Sequence, residues 1–150
     1  MVRLNFPSYA FRFKSRENKM LVFDIIRKKY VILTPEEWVR QHSLHFLIEE
    51  KKYPPGRFLV ERQLKVAALD KRVDIAVCDP KGKIQLLVEC KAPEVVLNQK
   101  VFDQIARYNW EARADILMVT NGLNHFYCRM DYKNGEYNFM AELPSYTEIG

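Results

Sequence analysis

Cysteine and histidine are scarce in this sequence, with three of each among 150 residues. The cysteines, Cys78, Cys90 and Cys128, are odd in number, widely spaced and set in apolar runs. We therefore expect buried free thiols in a reducing cytoplasm, which argues against a disulfide framework. No Cys and His spacing predicts a zinc site, and the histidines show no catalytic spacing.

Long apolar runs and glycine-rich loops are also missing. No stretch approaches the roughly 18 apolar residues that a membrane span requires, and the first residues alternate aromatic and basic side chains without a signal-peptide pattern. The absence of a Walker-type phosphate loop excludes a nucleotide-driven motor within these residues. We expect a cytoplasmic protein without a membrane partner.

The composition is that of an ordinary globular domain, with 48% apolar and 29% charged residues. A chain of this length fits one domain over residues 1–150. Residues 1–33 read as a basic and aromatic arm, irregular or in a short extended form over residues 1–16, with one or two short strands over residues 20–32. Residues 34–142 read as the core.

Charge is unevenly distributed along the chain, whose net charge is +5. Residues 1–72 hold 16 Lys and Arg against 8 Asp and Glu, whereas residues 73–150 hold 8 against 11. This asymmetry fits a polyanionic partner on the N-terminal half. A solvated basic surface without a partner explains it equally well.

Two helices and a set of strands follow from the residue pattern. The first helix covers residues 34–51, where Thr34 is the cap, Pro35 fits the first position and Glu37 completes a capping box. Strands are expected before and after a second helix over residues 97–112. Their expected ranges are 58–68, 72–79, 83–91, 115–120, 125–130 and 137–141. A strand meander combined with a strand–helix–strand unit predicts an α/β (α+β) fold, a central mixed sheet flanked by helices.

Two neighbouring strands contain acids in otherwise apolar surroundings. Alternation along residues 84–91 places Leu87, Glu89 and Lys91 on one face. On the preceding strand, Asp74 shares a face with Ala76 and Cys78, opposite Val73, Ile75 and Val77. A buried carboxylate is costly unless a cation compensates for its charge.

Metal-assisted phosphodiester cleavage uses such a set of groups. Asp74 and Glu89 can hold Mg²⁺ or Mn²⁺ with the backbone carbonyl of Cys90 as a third ligand, and Lys91 can act on the water or the developing charge. We expect Asp74→Asn to abolish activity and to raise the stability of the metal-free chain. The alternative is a structural salt bridge between Lys91 and one of the two acids.

The order of these motifs resembles the PD-(D/E)xK nucleases, and more narrowly the nuclease domain at the N-terminus of type I restriction enzyme R subunits. The similarity covers about residues 34–122 and rests on Glu36-Glu37-Trp38-Val39-Arg40-Gln41, Arg72-Val73-Asp74, Glu89-Cys90-Lys91-Ala92-Pro93, Gln104-Ile105-Ala106-Arg107-Tyr108 and Thr120-Asn121-Gly122. It departs at Val73, where the family motif has proline, and in lacking the helicase motor.

The resemblance implies a restriction-endonuclease-like core and a role for each matched residue. Asp74 and Glu89 correspond to the metal ligands and Lys91 to the catalytic lysine. Glu36 is the helical acid favoured to reach the metal, and Gln104 corresponds to the family's helical glutamine.

The expected nucleic-acid contacts come from Arg72, Lys65, Arg107 and Tyr108. DNA is the expected partner, and cutting both strands of a duplex favours a homodimer. Two alternatives remain: a catalytically silent nucleic-acid-binding module, and a subunit that docks on a separate helicase or methyltransferase.

Overall fold

Two β-sheets and three helices organise the chain in a computed structural model that describes residues 1–66 and 69–149. The small sheet contains β1 (Phe13–Arg16), β2 (Lys19–Asp24) and β3 (Lys29–Ile32). The large sheet contains β4 (Phe58–Val66), β5 (Leu69–Cys78), β6 (Ile84–Cys90), β7 (Ile116–Thr120), β8 (His125–Asp131) and β9 (Glu136–Met140). The helices are α1 (Pro35–His45), α2 (Gln99–Tyr108) and α3 (Tyr146–Ile149).

The large sheet is mixed, and its six strands lie in sequence order. Only β6 and β7 are parallel among these neighbours, and α2 connects them along the chain. The other neighbours pair antiparallel. The expected central mixed sheet flanked by helices is confirmed.

A hydrophobic core lies on each face of the large sheet. Val39 and Leu44 of α1 belong to the core that contains Leu86 and Val88. Leu87 belongs to the opposite core, together with residues of α2. Because side chains alternate along β6, Glu89 and Lys91 point toward the same face of the sheet as Leu87.

The first helix begins as predicted, but its capping box is only half formed. The Glu37 backbone N–H donates to Thr34 Oγ1 at 3.0 Å, and Pro35 occupies the first turn. The Thr34 N–H donates instead to the Ile32 carbonyl at 3.1 Å. The expected return bond from the Glu37 carboxylate is therefore wrong, because that carboxylate binds Arg40, at 2.8 Å, and other side chains.

Both long helices are shorter than the sequence predicted. A π-helical turn over Phe46–Glu50 follows α1 before the prolines at 54 and 55. The second helix begins after an Asn98 cap, whose side chain accepts from the Val101 N–H at 2.9 Å. It ends at Tyr108 and is followed by a 3-10 turn over Trp110–Ala112.

The predicted alternation along β5 fails at Val73, which packs in the core of Ala76 instead of that of Ile75. The cause is irregular pairing: Val60 pairs with Ile75 and Arg62 with Val73, which leaves an unpaired position between them on each strand. Side chains alternate strictly between the two faces of a sheet only where the strand pairs regularly with both of its neighbours.

Of the two forms predicted for residues 1–16, irregular or short extended, the structure shows the extended one at Phe13–Arg16, the first strand of the small sheet. Of the one or two short strands expected within residues 20–32, two are present, as β2 and β3. Across residues 1–66 and 69–149, no helix combines the length and the apolarity needed to cross a membrane.

Candidate active site

A cavity of about 570 Å³ lies where the pairing of β5 with β6 ends. The sequence predicted seven of its lining residues: Glu36, Arg72, Asp74, Glu89, Lys91, Gln104 and Tyr108. The other lining residues are Glu61, Val101 and Ile105. Three strands and both long helices thus contribute side chains to one cavity.

Asp74 is held through both carboxylate oxygens. Arg40 Nη2 donates to Oδ1 at 2.8 Å, and the Cys90 backbone N–H donates to Oδ2 at 2.7 Å. The last regular pair of β5 and β6 joins Ile75 to Val88, so the Asp74 side chain satisfies a backbone donor that the ladder leaves free. These two bonds fix the orientation of the carboxylate.

Arg40 is a buried cation surrounded by acids. Besides Asp74, its guanidinium contacts Glu37 at 2.8 Å, Glu61 at 2.7 Å and Glu36 at 3.7 Å. Burial alone lowers the pKa of this group, but the charges of Asp74 and Glu37 outweigh burial and raise it. Arg40 therefore remains charged and supplies the counterion for this side of the cavity.

Glu61 enters the cavity from an irregular position in β4. Its φ of 52° is in the left-handed region, between the paired residues Val60 and Arg62. Its carboxylate also binds the exposed guanidinium of Arg72. Burial opposes the shift, but the hydrogen bond from Arg72 and the charge of Arg40 lower the pKa of Glu61.

Glu89 has much weaker compensation than Asp74. Its closest ion-pair partner is Lys91 Nζ at 3.6 Å. Burial, followed by the negative charge of Asp74, raises the pKa of Glu89 to about 7, and Lys91 only partly opposes this. Burial and the same Asp74 charge also raise the pKa of Glu36. The cavity thus contains excess negative charge on the Glu89 side.

The remaining predicted residues lie in different places. Cys90 has a buried side chain, so only its backbone can take part in the site. Lys65 belongs to β4, and its side chain lies outside the described residues. Arg107 is exposed and lines a separate pocket with Tyr137. The Tyr108 ring faces the cavity but has Lys71 Nζ 3.8 Å from its centroid, which covers one face of the ring.

Sequence reasoning missed Arg40 and Glu61 as members of the site. Arg40 had a readable signal, because it stands three and four residues after Glu37 and Glu36, the spacing at which helical side chains meet. Glu61 had none, because an irregularity in the middle of a strand brings it into the cavity.

The donor set fits a hard divalent cation. In the part of the chain that the structure describes, no three Asp, Glu, His or Cys side chains are grouped closely enough to hold a metal by themselves. Mg²⁺, however, commonly takes one or two carboxylates and completes its shell with other oxygens, including water. Asp74 and Glu89 would provide the carboxylates, and Glu89, whose pKa is raised by burial and by the charge of Asp74, has its nearest cation 3.6 Å away.

Comparison with known proteins places the chain in a family. Residues 35–144 match the sequence model described as "Type I restriction enzyme R protein N terminus (HSDR_N)". The chain belongs to this family. It is a nuclease-like domain related to type I restriction.

The fold comparison agrees with membership of the R-protein N-terminal family. A solved fragment of a protein assigned as an HsdR subunit of a type I restriction enzyme from Vibrio vulnificus YJ016 is similar, with a TM-score of 0.53 and 18% sequence identity. The match covers 78% of this chain and 24% of that one, so the chain spans about a quarter of its structural relative. Among curated proteins, none matches this sequence.

Proposed function

We propose that this domain is a metal-dependent endonuclease that hydrolyses phosphodiester bonds in DNA. The observation that carries the proposal is the convergence of Asp74, Glu89 and Lys91 on one cavity, at the point where the pairing of two neighbouring strands ends. Membership of the R-protein N-terminal family supports both the reaction class and DNA as the substrate.

The carboxylates of Asp74 and Glu89, together with the Cys90 carbonyl, would hold Mg²⁺ or Mn²⁺. The bound ion supplies Lewis-acid polarisation of the phosphate and a lowered pKa of water. Glu36 is a further candidate ligand, because it lines the same cavity, where burial and the negative charge of Asp74 raise its pKa.

The remaining residues of the site would orient the reacting groups and balance their charges. Arg40 keeps the Asp74 carboxylate in one orientation, which removes the cost of ordering it when substrate binds. The Lys91 ammonium is placed to orient the attacking water or to stabilise charge that develops on the phosphate. Gln104 offers hydrogen bonds from α2, and the exposed Arg72 guanidinium is available to a phosphate at the rim.

A catalytically silent nucleic-acid-binding module is the second candidate. It is favoured by the two hydrogen bonds on Asp74, which already stabilise this carboxylate with protein groups. In that case the acids and Arg40 form a structural network. Any activity would then belong to a partner subunit of a restriction system, such as a separate helicase or methyltransferase.

Cleavage assays separate the two candidates. Wild type, Lys91→Ala and Lys81→Ala are incubated with plasmid DNA, single-stranded DNA and RNA, in Mg²⁺ or Mn²⁺. Lys81 is a suitable control because it is an exposed lysine in the turn before β6, away from the cavity. We expect cleavage by wild type and Lys81→Ala, and a loss of roughly 100-fold or more in Lys91→Ala, comparable to removing one transition-state donor. Equal cleavage by all three proteins, or none by wild type, contradicts the proposal.

A further inference from the structure

The small sheet precedes the residues matched to the family and contains an unusual concentration of positive charge. Residues 12–32 contain seven Lys and Arg against two acids. Arg16 pairs with Lys19 across β1 and β2, and Lys14 pairs with Leu21. Since cross-strand partners share a face and alternate residues return to it, Arg12, Lys14, Arg16 and Lys19 lie on one side. These four exposed residues are called the basic face.

The opposite side of the small sheet is turned toward the protein. Val22 and Asp24 are fully buried there, and Asp24 accepts a hydrogen bond from Gln41 of α1 at 2.9 Å. The other acid, Glu17, is in the turn between β1 and β2. Within residues 12–32, all of which the structure describes, no acid therefore lies on the basic face to neutralise it.

Aromatic rings on the basic face are covered by cations. The Arg12 guanidinium lies 4.3 Å from the centroid of the Phe23 ring, and Lys14 Nζ lies 5.3 Å from that of Tyr30. A surface that binds single strands by stacking needs free ring faces. The basic face presents charge instead, which suits the phosphates of a duplex and contacts that are independent of sequence.

A chain of ion pairs connects the small sheet to the cavity. Arg27, in the turn between β2 and β3, binds Asp24 at 2.7 Å and Glu37 at 3.2 Å. Glu37 binds Arg40, which binds Asp74, each at 2.8 Å. Two side chains, Glu37 and Arg40, thus link Arg27 in the turn to the candidate metal ligand Asp74, so the small sheet is held next to the elements that line the cavity.

We propose that the basic face binds the phosphate backbone of a DNA duplex on one flank of the cavity. Lys28, exposed in the turn between β2 and β3, adds a further positive charge at one end of the small sheet. This inference rests on the proposed function for its choice of DNA. It adds a binding surface that contributes affinity and takes no part in the chemistry.

The test measures binding of a fluorescent 30-base-pair duplex in EDTA, where metal-dependent cleavage cannot interfere. Wild type is compared with Lys14→Glu/Arg16→Glu/Lys19→Glu and with a control of equal charge change, Lys52→Glu/Lys81→Glu/Lys133→Glu. The control lysines are exposed and lie outside the small sheet. The double variant Arg16→Glu/Lys19→Glu, which changes two exposed positions beside a turn, provides a milder version.

We expect the triple variant to lose at least about tenfold in affinity at 50 mM salt. The slope of log affinity against log salt concentration should become less steep by up to about three, because three phosphate contacts are removed. The double variant should show a smaller change in the same direction. The control should stay within about threefold of wild type, and all variants should give the circular dichroism spectrum of wild type.

Other outcomes overturn the inference. If wild type binds the duplex and the triple variant matches the control, the basic face is not the binding surface, and the proposed nuclease function is unaffected. Tighter binding of single-stranded DNA or of duplex RNA contradicts the assignment to a DNA duplex. If wild type binds no nucleic acid, this inference is wrong, and the cleavage assay decides separately on the nuclease.

Discussion

Asp74 and Glu89 line the same cavity from neighbouring strands, yet their surroundings differ. Asp74 accepts two hydrogen bonds shorter than 3 Å, one of them from the buried cation Arg40. Glu89 has its nearest cation at 3.6 Å and a pKa raised to about 7. The comparison teaches that the protein alone orients one carboxylate, whereas the other lacks a close cation and is where we propose that the metal binds.

Among the substitutions that test this comparison, removal of the internal cation Arg40 should have the largest effect on the free energy of unfolding. Arg40→Met leaves Asp74, Glu37 and Glu61 without their shared buried counterion. We expect a loss of about 3–5 kcal/mol in the free energy of unfolding, the range for breaking a buried ion pair. Chemical denaturation measures it.

Arg72→Met is the matched control for that experiment, because its guanidinium also pairs with Glu61 but is more than half exposed. We expect this variant to lose less than about 1 kcal/mol. Equal losses from the two substitutions would show that Arg40 is not the central counterion.

Glu89→Gln should act in the opposite direction. A folded-state pKa above the ordinary value means that the folded chain binds more protons, so the stability of the metal-free protein falls as pH rises from about 4.5 to 7. The substitution should be nearly neutral below pH 4.5. Above pH 7 it should stabilise by on the order of 2–3 kcal/mol. Unfolding curves from pH 4 to 8, without divalent metal, measure this slope.

Asp74→Asn provides the contrast with Glu89→Gln. The sequence alone led us to expect a gain in metal-free stability from this substitution. The structure instead predicts that gain for Glu89. Asparagine at position 74 would lose the charged hydrogen bonds that Asp74 accepts from Arg40 and from the Cys90 N–H. We now expect a loss of about 1–3 kcal/mol at pH 8. The same sign for both substitutions would remove the distinction between the two acids.

Lys91→Ala should have the smallest effect on stability. Its ammonium is about one-third exposed and lies 3.6 Å from Glu89, so the ion pair contributes less than about 1 kcal/mol. Because Lys91 opposes the shift in the pKa of Glu89, its removal should raise that pKa further. Titration of the Glu89 carboxyl by NMR checks this, and an unchanged pKa would contradict the described geometry.

Local patterns predicted the central part of this site. The turn after β5 and the alternation along β6 brought Asp74, Glu89 and Lys91 together, because both signals depend on neighbouring residues alone. The sequence placed Arg40 in a family motif but gave it no role, because the burial of a helical side chain depends on the strands that it packs against. The position of Val73 was wrong for a related reason: an irregular pair of strands cannot be read from a strict period of two.

The N-terminal region also shows that local sequence patterns do not predict which strands pack together. The sequence predicted a basic and aromatic arm at the start of the chain. It did not predict that Arg12 and Lys14 would cover the rings of Phe23 and Tyr30, because those rings come from other strands. Which partner a strand takes is decided by tertiary packing.

Calorimetric titration of Mn²⁺ into wild type and Glu89→Gln at pH 6 and pH 8 tests the central claim most directly. Because Glu89 must lose its proton to become a ligand, wild type should bind Mn²⁺ more tightly at pH 8 than at pH 6. Glu89→Gln should show little binding at either pH. The absence of binding to wild type at millimolar Mn²⁺, or equal binding by Glu89→Gln, would contradict the assignment of this cavity as a metal-dependent active site.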